Sequence, residues 1–585
     1  MVKTLVTSSL ESTWPKSGKI IFLGKWCCLF DRKDKWSKLD YQISNFHWDD
    51  RNKFQSDFIK LETTYEEFLS ELHPYLNKLH KKKYSKRFWR ILIGPWLYTS
   101  INIIYDRWFM LQKVISEEGE LNKSIYKDYK TALVSSDMDD FNSKIETDQW
   151  NEALYSLIIN KIYKSNFCIN FLDCKKEMLP KESELEENFF LKFLKKISNK
   201  LANIFSKDSD VFIISSHLPL YKQFLLSLKL NQFPAFRFKD ENKLKINKEL
   251  SERDLELPFS LGNTDEFNLV LNKTLMHLIP QSYLESFEIL LKKTQVQGWP
   301  ENPKSIFTSN AYNSDDKFKL WAGLKVERGS KLVIGQHGGN FGMTPMAIHE
   351  SHQIEIADSW LSWGWKNPEK NNINPVGNFK SSFKVAKHSP SGSILLAGMT
   401  LPRYSYYLYC VPIASQVEAY LNDQIKFAKC LPNEMLKYLK VRLYSLDRGW
   451  NQRNRWESNF PRHISFDNNK KKLINSFKNC RVFIGTYNAT TYIEAFSANM
   501  PTILFWNPNH WELNNLTKSL FLNLENEKIF HSTPESAAEH LIKIWDDVDS
   551  WWFSANVQKS VKDFKKTFSK QNPHVLNSIK SCLTS

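Results

Sequence analysis

The stretch VFIGTYNATTYIEAFSANMPTILFW, residues 482–506, decides how the chain is read. Val482-Phe483-Ile484 and Thr502-Ile503-Leu504-Phe505-Trp506 are short, β-branched or aromatic, and bounded by breakers, which is the signature of buried strands. Gly485-Thr486-Tyr487-Asn488 between them is a polar turn. Thr491 and Glu494 have the S/T-x-x-E spacing of a capping box, in which hydroxyl and carboxylate satisfy the first free amides of a helix. Asn499, just before Met500-Pro501, reads as a left-handed stop. The unit is strand, turn, short helix, strand.

Working outward, the same change from apolar run to small polar residues recurs along the chain. Lys3-Thr4-Leu5-Val6 meets Thr7-Ser8-Ser9, Ile20 to Leu23 meets Gly24-Lys25-Trp26, and Val211 to Ile214 meets Ser215-Ser216-His217. Ser305-Ile306-Phe307 meets Thr308-Ser309-Asn310, and Leu332-Val333-Ile334 meets Gly335-Gln336-His337-Gly338-Gly339. Ile394 to Ala397 and Val441 to Tyr444 continue the series, with helical patterns between, such as residues 149–163 and 190–204. Alternating strands and helices predict an α/β fold with parallel, doubly wound sheets, whose ligands bind beyond the carboxyl ends of the strands. The best linker, Ala386-Lys387-His388-Ser389-Pro390-Ser391-Gly392-Ser393, places a boundary near residue 385. The expectation is two Rossmann-like domains facing a cleft, 1–385 and 386–585, the first carrying a helical insertion over about 30–200. Residues 237–257 are charge-rich and read as surface.

A chain of 585 residues is too long for one ordinary core, and 42% hydrophobic with 14% aromatic content supports packed domains. The formal charge of +16 calls for anionic partners, but no nucleic-acid motif accompanies it, so nucleic acid is not expected as a partner. The eight cysteines (27, 28, 168, 174, 410, 430, 480, 582) form no metal spacing and read as reduced thiols. No signal peptide is recognisable at the start, and the longest apolar run, ILIGPWLYTSINIIY at residues 91–105, is too short to span a bilayer. A cytoplasmic protein is expected. The basic, aromatic segment 80–108 could rest on an anionic membrane face, though a core helix with wet lysines is the better reading.

The chemistry is expected at the strand ends. A glycine-containing turn entering a helix exposes free amides and the positive end of the dipole, which suits phosphate. Thr486, Asn488, Thr490 and Thr491 would add donors, and Glu494 could accept from ribose hydroxyls; the plain alternative is that Thr491 and Glu494 cap their own helix. Arg403 and Arg442 would neutralise charge on a leaving phosphate. His337, between a strand and a Gly-Gly turn, is the candidate general base, with His217 its competitor and Glu11 and Glu350 behind them. Ser8, Ser9, Gln336, Gly338, Gly339 and Glu350 would form the acceptor side. Asp137-Met138-Asp139 has the D-x-D spacing of a metal site but reads as a helix entry, so no metal is expected.

Residues 482–506 resemble the nucleotide-binding motif of GT-B-type glycosyltransferases. FLGKWC (22–27), RILIGPWLY (90–98), GQHGGNFG (335–342) and IEIADSWLSWGW (354–365), with that stretch, make the chain similar to a family of transferases encoded among bacterial surface-polysaccharide genes. The histidine-glycine turn also resembles one in polymer glycerophosphotransferases, where it is associated with deprotonating the acceptor. The resemblance implies a GT-B fold and sugar transfer in cell-envelope polysaccharide biosynthesis. The family carries over no donor or acceptor; the reading of the residues expects a nucleotide-activated sugar as co-substrate without a further cofactor, a carbohydrate or lipid-linked acceptor, and peripheral contact with the membrane. Alternatives on the same scaffold are transfer of a glycerol-phosphate unit from a CDP-linked donor, epimerisation of a nucleotide sugar, or sugar-nucleotide binding without catalysis.

Overall fold

The computed structural model describes residues 2–173, 189–239, 257, 265–381, 383–461 and 464–585. Cys174 and most of the charge-rich segment 237–257 lie outside the described residues. The chain builds three all-parallel sheets. The first holds β1 (Thr4–Val6), β2 (Ile20–Phe22), β3 (Tyr41–Ile43), β4 (Leu121–Tyr126) and β5 (Phe167–Leu172) in the order β3-β2-β1-β4-β5. The second holds β6 (Phe212–Ile213), β7 (Ser305–Thr308), β8 (Lys331–Gly335), β9 (Ser359–Ser362) and β10 (Ile373–Pro375) in sequential order. The third holds β11 (Ser393–Ala397), β12 (Leu439–Arg442), β13 (Ser465–Phe466), β14 (Cys480–Gly485), β15 (Thr502–Phe505) and β16 (Phe530–His531), ordered β13-β12-β11-β14-β15-β16.

The α/β class with Rossmann-like parallel sheets is therefore as expected, and the strand-to-polar switches fall at strand ends. The organisation differs in its first third. Residues 30–200, expected as a helical decoration, do contain the long helices Arg51–His80 and Lys86–Glu118, but they also supply β3, β4 and β5 to the sheet they form with β1 and β2. These strands escape pattern reading because β3 is only half-buried and β5 is an edge strand with most side chains wet.

Residues 91–105 lie within Lys86–Glu118 and are buried throughout. Gly94 lets this helix approach His352 and Tyr65, since a Cβ there would sit 2.5 Å from the His352 ring. The apolar run is thus a core helix, and no helix among the described residues is long and apolar enough to cross a membrane. The last helices tie the units together. Ala555–Phe568 packs against the third unit, whereas Val575–Thr584 returns to the second, where Ser305 Oγ donates to the Leu583 carbonyl at 2.9 Å. The region after residue 386 is therefore not a closed body in the chain.

Candidate functional site at the junction of the second and third units

In the third sheet the strand order reverses between β11 and β14, the crevice where doubly wound sheets take ligands. Thr486, at the end of β14, closes the base of that crevice. Its hydroxyl donates to the Ala397 carbonyl at 2.8 Å and so must accept from Tyr420 Oη, also at 2.8 Å. Tyr420 Oη in turn accepts from the Met399 amide at 2.9 Å. Thr486 is fully buried and fastens the two strand ends together, so it is not placed to hold a ligand.

The helix beyond it is Thr490–Ser497, and its N-cap is Ala489, which offers no side chain to the free amides. The capping box therefore does not form: the helix begins two residues earlier than that reading needs. Glu494 instead lies in the field of Lys380, Arg442 and Lys472, with Lys380 Nζ at 3.9 Å. Burial pushes the Glu494 carboxyl up, and those cations oppose the shift. Asn499 does terminate the helix with φ of +51°, as expected. Tyr492 Oη donates to Asn488 Oδ1 at 2.9 Å, which fixes the amide orientation and leaves buried Asn488 Nδ2 without a partner among the described residues. A buried orphan donor beside open helix amides is a feature that calls for explanation.

The second unit brings His337 to the same place. The turn after β8 packs so tightly on the helix entrance that a Cβ on Gly339 would lie 2.7 Å from the Ala489 carbonyl carbon and oxygen. Only glycine permits that approach. Gln336 holds the turn: its amide donates to the Gly338 carbonyl at 2.7 Å, and its oxygen accepts from the Trp363 amide at 2.8 Å. Glu350 accepts from the Gly342 amide at 2.9 Å, and Asn514 donates from the third unit to the Gly342 carbonyl at 2.8 Å. Gln336 and Glu350 thus shape the loop rather than line open space.

His337 Nδ1 is buried without a hydrogen-bond partner among the described residues. Burial, then the neighbouring His217, His349 and Lys380, pushes its pKa down to about 3, so the ring is neutral. His217 stacks on it, with ring centroids 5.8 Å apart and planes 23° from parallel. His217 is exposed and sits at φ of +57°, two residues after Ser215 at +47°. Left-handed conformations at two non-glycine residues are a local strain of the kind found at functional sites. Burial pushes the His349 pKa to about 4, and the Glu350 carboxyl up to about 7.

Lys380 escaped the sequence reading, yet it is the cation whose charge reaches His217, His337 and Glu494 together. An Asx turn positions it, with Asn378 Oδ1 accepting from the amides of Lys380 and Ser381, both at 3.0 Å. The Asn-Phe-Lys-Ser sequence is the signal that could have found it.

Other expected residues are engaged elsewhere. Arg403 forms a buried ion pair with Asp148 at 2.5 Å and donates to the Trp26 carbonyl at 2.8 Å, bridging the third unit to the first. Burial alone would raise Asp148, but the Arg403 guanidinium, with Tyr404 and the Ser9 amide, holds its carboxyl below the ordinary value. Arg442 pairs with Asp467 and donates to the Asn468 and Asn469 carbonyls at 3.3 Å. Ser8 is buried against Glu152, donating at 2.6 Å, and Glu152 also binds Lys123 and takes the Thr7 hydroxyl. Ser9 is buried, and its amide donates to Asp148. Glu11 pairs with Arg32 at 3.2 Å and Lys35 at 2.9 Å. Ser8, Ser9 and Glu11 thus belong to the polar network at the strand ends of the first sheet, where β1 and β4 part, and not to the histidine site. Asp137 caps the helix Met138–Lys144, accepting from the Asp140 amide at 3.0 Å.

Thr490, Thr491 and Asn488 with the helix amides, Glu494, Lys380, and the pair His217 and His337 form one junction around Gly338 and Gly339. A different cleft of about 560 Å³ opens between the first and third units, beside the Arg51–Glu512 ion pair and His510. Among solved structures, MurG of Acinetobacter baumannii is similar at 9% identity, over 73% of this chain and 94% of that chain, with a TM-score of 0.32. No curated protein matches. The family model described as LIC12162 family transferase matches residues 3–583, and the chain belongs to that family of transferases.

Proposed function

We propose that this transferase is a glycosyltransferase of GT-B type, moving a sugar from a nucleotide-activated donor to a carbohydrate or lipid-linked acceptor in surface-polysaccharide assembly on the cytoplasmic side of the membrane. The observation that carries this reading is the approach of Gly339 to Ala489, which sets a neutral imidazole with a buried, unpartnered Nδ1 and an uncapped helix entrance on two sides of one junction. In the proposed reaction the donor phosphate takes the amides of Thr490 and Thr491 and the Asn488 amide, with Lys380 as counter-charge. The acceptor oxygen attacks the anomeric carbon while its proton passes to His337. The carbon–oxygen bond to the phosphate breaks, and its electron pair leaves on that phosphate oxygen. A single displacement of this kind inverts the anomeric centre, and no metal is assigned a part in it.

An incoming phosphate also raises the basicity of both histidines, since a nearby anion favours the imidazolium. The base thus gains strength when the donor is bound. Incubation with separate activated donors, following released UDP, CDP or CMP, tests the reading. One nucleoside diphosphate should appear, and His337→Ala should slow its release by roughly 10²-fold or more. CMP released from a CDP-linked polyol donor would mark transfer of the phosphorylated unit instead. Turnover that survives the loss of both His337 and His217 would remove the base assignment.

A further inference from the structure

The helix Phe189–Phe205 is attached to the second unit the wrong way round for a soluble protein. Its polar stripe faces inward. Ser198 Oγ donates to the Phe236 carbonyl at 2.7 Å, Asn199 exchanges bonds with the Phe238 backbone at 2.9 and 2.8 Å, and Asn203 donates to the Gln297 carbonyl at 2.7 Å. Arg237 reaches Ala202 and Ser206 of the same stripe. The apolar stripe faces outward: Phe193, Leu194, Ile197, Leu201 and Ile204 are between 39 and 62% exposed. An ordinary surface helix buries that stripe and wets the other.

The apolar surface continues past the end of this helix. Phe205 packs on Phe233 with ring centroids 4.9 Å apart, and the helix Leu220–Lys229 before Phe233 exposes Tyr221, Phe224 and Leu228. A contiguous patch of this extent on a chain otherwise able to bury its aromatics marks an interaction site. Charge selects the occupant. Residues 189–207 contain Lys192, Lys195, Lys196, Lys200 and Lys207 and no acidic side chain, and residues 220–229 add Lys229, again with no acid, the Lys222 ammonium being spent on the Phe379 and Ser381 carbonyls at 2.9 Å. The nearest acids in the sequence lie outside the helix, Glu182, Glu184, Glu186 and Glu187 before its start and Asp208 and Asp210 beyond its end, where Asp210 accepts from the Lys207 amide. Two copies of the face would bring lysines against lysines. An anionic bilayer takes both the apolar stripe and the flanking ammonium groups.

We propose that the faces of helices Phe189–Phe205 and Leu220–Lys229 dock this protein on an anionic phospholipid surface. The second helix begins three residues after His217, so the membrane would lie beside the histidine site. The docking surface is argued from these helices alone and stands whether or not the cleft transfers sugar.

Flotation of the full chain with phosphatidylglycerol–phosphatidylcholine vesicles and with pure phosphatidylcholine vesicles tests the proposal. Binding should appear with the anionic vesicles, weaken in high salt, and be at least tenfold weaker on phosphatidylcholine alone. The double variant Phe193→Ser, Ile197→Ser should lose at least tenfold of it, and Lys196→Glu, Lys200→Glu a comparable share, with thermal melting unchanged because these side chains support no core. Wild-type protein that floats with neither vesicle would overturn the proposal, as would variants that float equally well. A dimer by sedimentation equilibrium that the Phe193→Ser, Ile197→Ser variant dissociates would assign the face to a second copy instead.

Discussion

At the residue scale, the account rests on His337 and Lys380. The imidazole is neutral because burial, and after it His217, His349 and the Lys380 cation, oppose its protonation. That has a consequence for stability. Below pH 6.5 the unfolded chain binds a proton at residue 337 that the folded chain refuses until about pH 3, so the contribution is present above 6.5 and lost as pH falls. His349, at about 4, acts in the same direction. Glu350 acts oppositely: raised to about 7, it holds a proton that the unfolded chain releases near 4.5, and its contribution is lost as pH rises through 7. Urea unfolding at pH 7 and pH 5 should therefore show a steeper acid loss for wild type than for His337→Asn, by about 1–2 kcal/mol. Parallel losses would mean the ring is not the neutral group described. Lys380→Met should leave melting nearly unchanged, because its ammonium supports no core packing, while weakening nucleotide binding about tenfold by calorimetry. Unchanged affinity would take Lys380 out of the site.

At the element scale, the turn after β8 and the helix Thr490–Ser497 act as one device, with Gly339 as the point of closest approach. Gly339→Ala places a methyl against the Ala489 backbone, which cannot yield as a flexible side chain would. A loss of about 1–3 kcal/mol in stability, or a tenfold loss of nucleotide affinity with the fold intact, is expected from melting and titration. A variant unchanged in both would show that the two elements do not need this contact. Much of this device was legible beforehand. Val482–Ile484 and Leu332–Ile334 read as strands because apolar β-branched runs end in glycine, and Asn499 read as a stop because asparagine tolerates positive φ. The capping box misled because Thr491 and Glu494 have the spacing whether or not Thr491 is the N-cap. Local sequence cannot show that Lys380, more than a hundred residues away, draws Glu494 aside. Thr486 and Arg403 look like ligand residues by type, yet one is spent on Ala397 and Tyr420 and the other on Asp148, partners that only tertiary folding supplies.

For the whole molecule, three parallel sheets share one scaffold, and the third is gripped from both sides. The first unit holds it through the buried pairs Arg403–Asp148 and Arg107 with the Ser405 backbone and hydroxyl, the second through the Gly338–Met343 turn and the returning C-terminal helix. Breaking one partner of a buried ion pair leaves an uncompensated charge, so Asp148→Asn should cost about 3 kcal/mol in denaturant unfolding. A loss under about 1 kcal/mol would mean that Arg403 finds another partner or water. The first sheet's own strand ends are filled by Ser8, Glu152 and Lys123, which leaves the histidine junction as the place where strand ends of two units meet with open donors. The most direct test is a crystal structure of the protein with the nucleoside diphosphate that stabilises it best. The account predicts phosphate oxygens within hydrogen-bond distance of the Thr490 and Thr491 amides, with Lys380 alongside and His337 facing them. Phosphates seated in the cleft between Arg51 and His510, or anywhere away from residue 490, would contradict it.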